Sequence, residues 1–170
     1  MHFLLHSFKK KEKKIECEPA TGYPIYAPVS GLIKNISESK EPEFSSKLIG
    51  DGIFILPTDN KIYAPADCTI AFLFPSKHAI GIRTENDVEI LINLGFDTEH
   101  LKGTGFHMYV SEDQDVVRGN LIADFDLEKV KKRCASPAIS VIVTNLSKTQ
   151  RILFGKSGNV TLEDIILEIQ

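Results

Sequence analysis

The sequence predicts an all-β fold, a compact antiparallel β-sandwich or barrel with an internal pseudo-repeat and minor short helices. Short stretches rich in Val, Ile, Phe and Tyr alternate with clusters of Gly, Pro, Asn and Asp, as in strands joined by turns. Few segments have the 3.6-residue apolar period of a long helix. With 170 residues and 42% apolar content, the chain is long enough to form one domain with a substantial core.

Seven stretches carry the strand prediction. They are 25–36, 52–56, 61–74, 79–83, 88–94, 121–125 and 138–144. A single helical turn is predicted at 98–103 (TEHLKG). A short helix is predicted from Asp126 to Cys134, with Asp126 as its N-cap and Pro137 shortly after its end.

One segment of the chain is repeated. Residues 25–33 read IYAPVSGLI and residues 62–70 read IYAPADCTI, so both copies begin with I-Y-A-P and end on Ile. Two copies of one strand-turn-strand unit indicate a pseudo-symmetric sheet that arose by duplication.

Residues 1–19 are predicted to form a basic flexible leader, and 20–170 a single domain. The apolar residues of the leader precede its positive charges, the reverse of a secretory signal, and its apolar run is too short to span a bilayer. The three cysteines form no CxxC pair, which suits a reducing, cytoplasmic location. A second interpretation of the leader is weak contact with an anionic membrane surface.

The charge distribution and the missing motifs exclude several functions. Segment Lys9–Lys14 holds five lysines and one glutamate within a total charge of -3, which leaves -7 on the remainder of the chain. This acidic body argues against nucleic-acid binding. The chain has no His/Cys set at zinc spacing, no G-x-S-x-G elbow and no complete P-loop. The sequence therefore predicts neither a metal site nor a bound cofactor.

Two polar residues stand in apolar strand contexts. His78 precedes Ala79 and Ile80, and Asn93 interrupts the apolar run 90–94. From these residues alone, a hydrogen-bonded structural histidine and a structural amide are as compatible with the pattern as a functional pair. The other histidines lie in the leader or in the segment around LKGTGF, where His100 and His107 are predicted to be solvated loop residues.

Longer motifs supply a family resemblance. They are YAPVSGLI, GDGIFILP, FPSKHAIGI, INLGFDTEHLKGTGF and VVRGNLIADFD, in that order over residues 20–170. In these motifs the chain resembles the glucose-type enzyme IIA (EIIA) family, the phosphocarriers of the bacterial phosphoenolpyruvate-dependent sugar phosphotransferase system (PTS).

The resemblance implies a β-sandwich with two histidines side by side in a shallow depression. One accepts a phosphoryl group from the carrier HPr and passes it to the IIB domain of a sugar permease, and the other holds the phosphate. His78 matches the supporting histidine, and Asn93 stands at the position of the phosphoacceptor. The lone pair of an amide nitrogen is delocalised into its carbonyl, so Asn93 cannot accept phosphate.

Further positions follow from the same resemblance. Ser76 stands where the family usually has Thr and is expected to orient the imidazole or a phosphate, and Asp97 is expected near the site. Apolar side chains around the depression would dock HPr and the permease. The matching positions here are Phe44, Leu48, Ile49, Phe74, Ile80 and Leu91.

The resemblance implies HPr and permease IIB/IIC domains as partners, with regulatory target proteins as further candidates, and it suggests a monomer. Three interpretations of Asn93 remain open from the sequence. The first is a regulatory docking protein that cannot carry phosphate at position 93. The second is an active phosphocarrier that uses His78, and the third is an engineered His-to-Asn form of an active phosphocarrier.

Overall fold

The computed structural model of the protein describes residues 22–170. Two short α-helices lie in this part of the chain, α1 (Pro42–Ser45) and α2 (Leu127–Arg133), with 3-10 turns at Ile36–Glu38 and Glu99–Leu101. The strands of residues 22–170 are β1 (Tyr23–Tyr26), β2 (Gly31–Asn35), β3 (Asp51–Pro57), β4 (Lys61–Tyr63), β5 (Cys68–Leu73), β6 (Ala79–Thr84), β7 (Glu89–Phe96), β8 (Phe106–Met108), β9 (Asp115–Val116), β10 (Leu121–Phe125), β11 (Ser136–Val143), β12 (Ile152–Phe154), β13 (Gly158–Val160) and β14 (Ile165–Ile169).

The strands form one large sheet and two small ones, with antiparallel pairing throughout the described chain. The large sheet has the order β13-β2-β3-β11-β7-β6-β5-β9, and the small sheets have the orders β1-β14-β12 and β4-β10-β8. Inward-facing side chains of the large sheet, such as Ile55 and Ile92, share one core cluster with Ile122 and Ile166 of the small sheets. The architecture is the predicted β-sandwich. The alternative of a closed barrel is wrong, because the large sheet has open edges at β13 and β9.

The repeated I-Y-A-P segments are related by a pseudo-two-fold arrangement. The Tyr26 backbone N–H donates to the Pro65 carbonyl at 2.9 Å, and the Tyr63 N–H donates to the Pro28 carbonyl at 2.9 Å. Counted outward from the centre of the large sheet, β11, β3 and β2 on one side correspond to β7, β6 and β5 on the other. The predicted internal pseudo-repeat is confirmed.

Both predicted helical segments are present. The Glu99–Leu101 turn lies within 98–103, and α2 begins after Asp126, whose carboxylate accepts from the Lys129 backbone N–H at 2.9 Å. His107 is exposed as predicted, but it lies in β8 and not in a loop, because β8 pairs with β10. No strand is predicted beyond residue 144, yet β12, β13 and β14 lie there. The run IILEI of β14 has no clear period of 2, so periodicity does not distinguish it from a helix.

The leader prediction for residues 1–19, including the basic run Lys9–Lys14, lies outside the described residues. Among residues 22–170, no helix combines the length and the apolarity that crossing a bilayer requires.

The central strands of the large sheet are where a substitution is predicted to destabilise the fold most. Ile92 of β7 is fully buried and pairs with Ile80 and Val141 on either side. We expect Ile92→Ala to lower the free energy of unfolding by about 2–5 kcal/mol, because it leaves a cavity that the sheet cannot close. The measurement is urea unfolding followed by circular dichroism. Leu153→Ala, at a site that is 40% exposed, is the control, with an expected cost below about 0.5 kcal/mol. Equal costs for the two variants would contradict this description of the core.

Candidate functional site

The structure brings His78 and Asn93 together on neighbouring strands. His78 immediately precedes β6, and the register of β6 against β7 places Ala79 opposite Asn93. The Leu94 backbone N–H donates to the His78 carbonyl at 2.7 Å, which ties this end of β6 to β7. Both side chains line a depression of about 320 Å³.

The imidazole of His78 is held on two sides. Its Nδ1 lies 2.6 Å from the Ser76 hydroxyl, and its ring centroid lies 4.9 Å from that of Phe74 at an angle of 47°. Ser76 therefore orients the ring, as expected from the sequence. Nε2 of His78 has no protein hydrogen-bond partner among residues 22–170 and is the ring nitrogen left for a ligand.

Burial lowers the pKa of His78, and the nearby carboxylate of Glu99 opposes part of that effect. The imidazole is therefore neutral at pH 7, and its lone pair is available. Because the pKa is lower in the folded state, the unfolded chain binds more protons below the ordinary histidine pKa of about 6.5. The contribution of His78 thus favours the fold above that pH and is lost as the pH falls.

Asn93 is held by a partner across the sheet. Its side chain is 7% exposed, and its Nδ2 donates to the Ser140 hydroxyl at 3.0 Å. Ser140 is fully buried and is the register partner of Asn93 between β11 and β7. This hydrogen bond fixes the orientation of the amide at the floor of the depression. Sequence analysis missed Ser140, although this polar residue stands in the apolar run 139–143 just as Asn93 does in its own strand.

The depression is acidic. Its described lining includes the carboxylates of Glu41, Glu43, Asp97 and Glu99 and contains no Lys or Arg. Asp97 lies there as expected from the sequence, at a left-handed backbone position (φ 57°) just after β7. Carboxylates around a concave site favour a cationic partner surface and disfavour a free anion. The glutamates carry no signal in the sequence, because they lie in irregular or one-turn segments.

The six predicted docking residues differ in how far they are exposed. Leu48 is 82% exposed, and the side chains of Ile49, Phe74 and Leu91 are half-buried. Phe44 is mostly buried against Phe96, at a centroid distance of 4.9 Å, but it still lines the depression.

The prediction is wrong for Ile80. Its side chain is fully buried in the main core, because it lies in register with Ile92 on the inward face of the sheet. Alternate residues of a strand point to opposite faces, so Ala79 and Gly81 are the outward-facing residues of β6 at this point.

A larger cavity of about 580 Å³ lies elsewhere, between Cys68, Arg83 and Asp115. Burial raises the pKa of the Cys68 thiol to about 12, with Asp67 and Asp115 adding to the effect. The thiol is therefore protonated at neutral pH and is a poor nucleophile. Polar side chains line both cavities, so neither volume nor polarity alone identifies the functional site. The smaller depression is the one that holds the neutral imidazole of His78 together with Asn93.

Comparisons with known proteins show which family the chain resembles. The family model for the phosphoenolpyruvate-dependent sugar phosphotransferase system, EIIA 1, matches residues 23–149. A glucose-specific EIIA component of Bacillus cereus is 40% identical over 128 residues, which cover 75% of this chain and 78% of the relative. The glucose-specific EIIA component of Halalkalibacterium halodurans is 39% identical over 144 residues, or 85% of this chain and 83% of that one.

A solved structure and a multidomain protein add to these relatives. Glucose permease IIA from Mycoplasma capricolum superposes with a TM-score of 0.81 at 34% identity, covering 87% of this chain and 95% of that one. A glucose-specific EIICBA component of Staphylococcus saprophyticus is 35% identical over 161 residues. The match covers 95% of this chain but only 24% of the length of that relative.

The β-sandwich, the family match and the superposition on glucose permease IIA together define a component of a sugar phosphotransferase system. The chain belongs to the EIIA 1 family of the phosphoenolpyruvate-dependent system.

The electrostatics of the site predict the titration of His78. We expect an NMR titration to give a pKa below that of an exposed histidine, because burial disfavours the imidazolium. Glu99→Gln should lower this pKa further, since it removes the carboxylate that favours the charged ring. Glu85→Gln, in the other cavity, is the matched control and should leave the titration unchanged. A rise in the pKa of His78 in Glu99→Gln would contradict this description.

The Asn93–Ser140 hydrogen bond predicts how substitution of its two partners changes the stability of the fold. Ser140→Ala should lower the free energy of unfolding by about 1–3 kcal/mol, because it leaves a buried amide donor without its acceptor. Replacing both partners, with Asn93→Leu and Ser140→Ala together, should cost less than the single change at Ser140, because no unpaired donor remains. Urea unfolding of the single and double variants tests this. A double variant less stable than Ser140→Ala would contradict the role given to the bond.

Proposed function

We propose that this chain is a docking and regulatory member of its family, which binds HPr or a permease IIB domain without carrying phosphate at position 93. The single observation that carries the proposal is the side chain at the floor of the depression. Asn93 is an amide that donates to Ser140, next to the imidazole of His78.

The chemistry of the amide supports the loss of transfer at this position. A phosphoacceptor needs a nitrogen lone pair that can attack phosphorus while the resulting charge is delocalised. The nitrogen lone pair of Asn93 is delocalised into its carbonyl, and its N–H donates to Ser140 at 3.0 Å. An amide forms hydrogen bonds as an imidazole does, so the depression keeps its shape although position 93 has no nucleophile.

The surface around the depression supports the docking half of the proposal. Phe74 packs against the ring of His78, and the half-buried Leu91 lies two residues from Asn93 on the same face of β7. The exposed Leu48 and the half-buried Ile49 follow α1 in the chain, and the carboxylates of the depression supply negative charge. Protein interfaces of this kind combine a buried apolar centre with complementary charge at the rim. A partner with a basic, partly apolar surface fits this site. The names of the relatives make a glucose-type IIB domain the first permease partner to test.

A second candidate function is phosphoryl transfer through His78. It is favoured by one observation, the Nε2 of a neutral imidazole without a protein partner among the described residues. With its Nδ1–H donating a hydrogen bond to the Ser76 hydroxyl, His78 would attack the phosphorus of phospho-HPr with the Nε2 lone pair. The phosphorus–nitrogen bond of HPr would break, and its electron pair would return to the HPr imidazole. Asn93 would then be a hydrogen-bond donor to the transferred group.

Phosphorylation by the purified system separates these functions. The unmodified chain and Asn93→His are incubated with phosphoenolpyruvate, enzyme I and HPr, and their intact masses are measured at alkaline pH because phosphohistidine is acid-labile. We expect Asn93→His to gain one phosphoryl group and the unmodified chain to gain none. The reason is that only the variant has a nucleophile at position 93.

The control variants make the result unambiguous. His78→Ala in the unmodified chain should change nothing if no phosphate is carried. A gain of one phosphoryl group by the unmodified chain, abolished by His78→Ala, would exclude the docking-only proposal and establish His78 as the carrier. His107→Ala, at an exposed histidine of β8, controls for surface phosphorylation.

A further inference from the structure

The cavity of about 580 Å³ lies at the opposite end of β6 from the depression. His78 precedes this strand, whereas Thr84 ends it and Glu85 follows it. The six residues of β6 span about 20 Å. The two concave sites have no lining residue in common, so the cavity is separate from the site around His78.

The acidic side chains of this cavity have no basic partner in the described chain. They are Asp67, Glu85, Asp87 and Asp115, and no salt bridge within residues 22–170 includes any of them. Asp67 and Asp115 accept hydrogen bonds from a backbone N–H and a hydroxyl, neither of which is charged. Arg83 lines the cavity too, but its guanidinium is bound to Glu89 at 3.1 Å. The cavity therefore has a negative potential that attracts a cationic group.

A buried thiol also lines the cavity. Cys68 is 6% exposed and has no hydrogen-bond partner within residues 22–170. Because its S–H stays protonated, it is left as a donor for a group that enters the cavity. A peptide with basic side chains supplies both complements, a positive charge for the carboxylates and a backbone carbonyl for the thiol.

A bare metal ion is a poorer match than a basic peptide. Within residues 22–170, no group of three His, Cys, Asp or Glu side chains is placed to hold a metal ion. The carboxylates of the cavity therefore surround a space without converging on one point, which suits several separate ammonium groups.

The chain enters the described structure beside this cavity. Gly22 precedes β1, and the Tyr23 hydroxyl donates to the Asp67 backbone carbonyl at 3.1 Å. Burial raises the pKa of the Tyr23 phenol, and the charges of Asp67 and Glu85 add to the effect, as expected for a ring that lies close to both. The side chain of Tyr23 thus holds the start of β1 next to the cavity.

A strongly basic segment precedes this point in the sequence. Lys9–Lys14 (KKKEKK) carries five positive charges and one negative charge, and residues 15–21 separate it from Gly22. The eight residue steps from Lys14 to Gly22 span at most about 26–29 Å. The basic segment is therefore within reach of the cavity and opposite to it in charge.

We propose that the segment Lys9–Lys14 docks in this cavity of its own chain, with its ammonium groups against the four carboxylates and a backbone carbonyl accepting from the Cys68 S–H. The segment supplies the counter-charges that the described residues lack. Docking at this end of β6 leaves the depression at the other end open. It also occupies lysines that would otherwise be available to an external anionic surface.

Zero-length crosslinking of the full chain with a water-soluble carbodiimide tests the contact, because it joins a lysine to a carboxylate only where the two touch. We expect the monomer fraction at low salt to contain crosslinks from Lys9–Lys14 to the carboxylates of the cavity, identified by mass spectrometry. Their yield should fall at least about fivefold in about 0.5 M salt, since exposed ion pairs are screened. The carboxylates of the depression, Glu41, Glu43, Asp97 and Glu99, are the internal control and should give few crosslinks.

NMR of the uncrosslinked chain gives a second measurement. Replacing the five lysines of the segment by Gln should move the backbone amide signals of Cys68, Asp87 and Val117, which line the cavity, and leave those of the depression unchanged. The matched control replaces Lys131 and Lys132, two exposed lysines of α2, by Gln and should leave the cavity signals in place.

Three results would overturn the proposal. The first is that the segment crosslinks mainly to the depression. The second is that it crosslinks to neither site and its replacement by Gln moves no cavity signal. In the third, cavity crosslinks are absent and the chain sediments with phosphatidylglycerol vesicles, while the variant with five Gln does not, so that the segment is a membrane contact.

Discussion

The pairing of β7 with β11 is the constraint on which the rest of the structure depends. These strands form the centre of the large, pseudo-symmetric sheet, and their inward side chains, Ile92 and Val141 among them, are fully buried in the main core. Their register cannot slip by one residue without turning every one of these side chains outward. The same register sets Asn93 opposite Ser140, and the register of β6 against β7 sets Ala79 opposite Asn93. The position of the candidate site is therefore a consequence of core packing.

The sequence predicts the sandwich because strands and turns follow local patterns, whereas the pairing of positions 78 and 93 follows from the family resemblance. Alternating strands, turn residues and the two I-Y-A-P segments are visible in the chain itself. Ile80 shows the limit of transferring positions from a family motif: only the register with Ile92 decides that it faces inward. The carboxylates of Glu41 and Glu43 reach the depression through a non-local fold of the chain, for which no periodic signal exists.

The charge of the depression and the protonation state of His78 are linked. Burial keeps the imidazole neutral by lowering its pKa, although the Glu99 carboxylate favours the charged form. A protonated His78 would neutralise part of the negative potential, so the depression is most acidic when the ring is neutral. A neutral His78 thus favours both the attraction of a basic partner surface and the availability of the Nε2 lone pair. In the proposed function, the amide at position 93, and not the electrostatics of the depression, prevents docking from leading to transfer.

Functional asymmetry arises where the duplicated fold is incompletely symmetric. Segment 36–50 seals one half of the outward face and supplies Glu41, Glu43 and Phe44 to the edge of the depression. In the other half, the connection at 74–78 is shorter, and the imidazole of His78 is only half-buried at the depression. The difference in length between the two connections therefore accounts for an accessible histidine in only one of the two related halves.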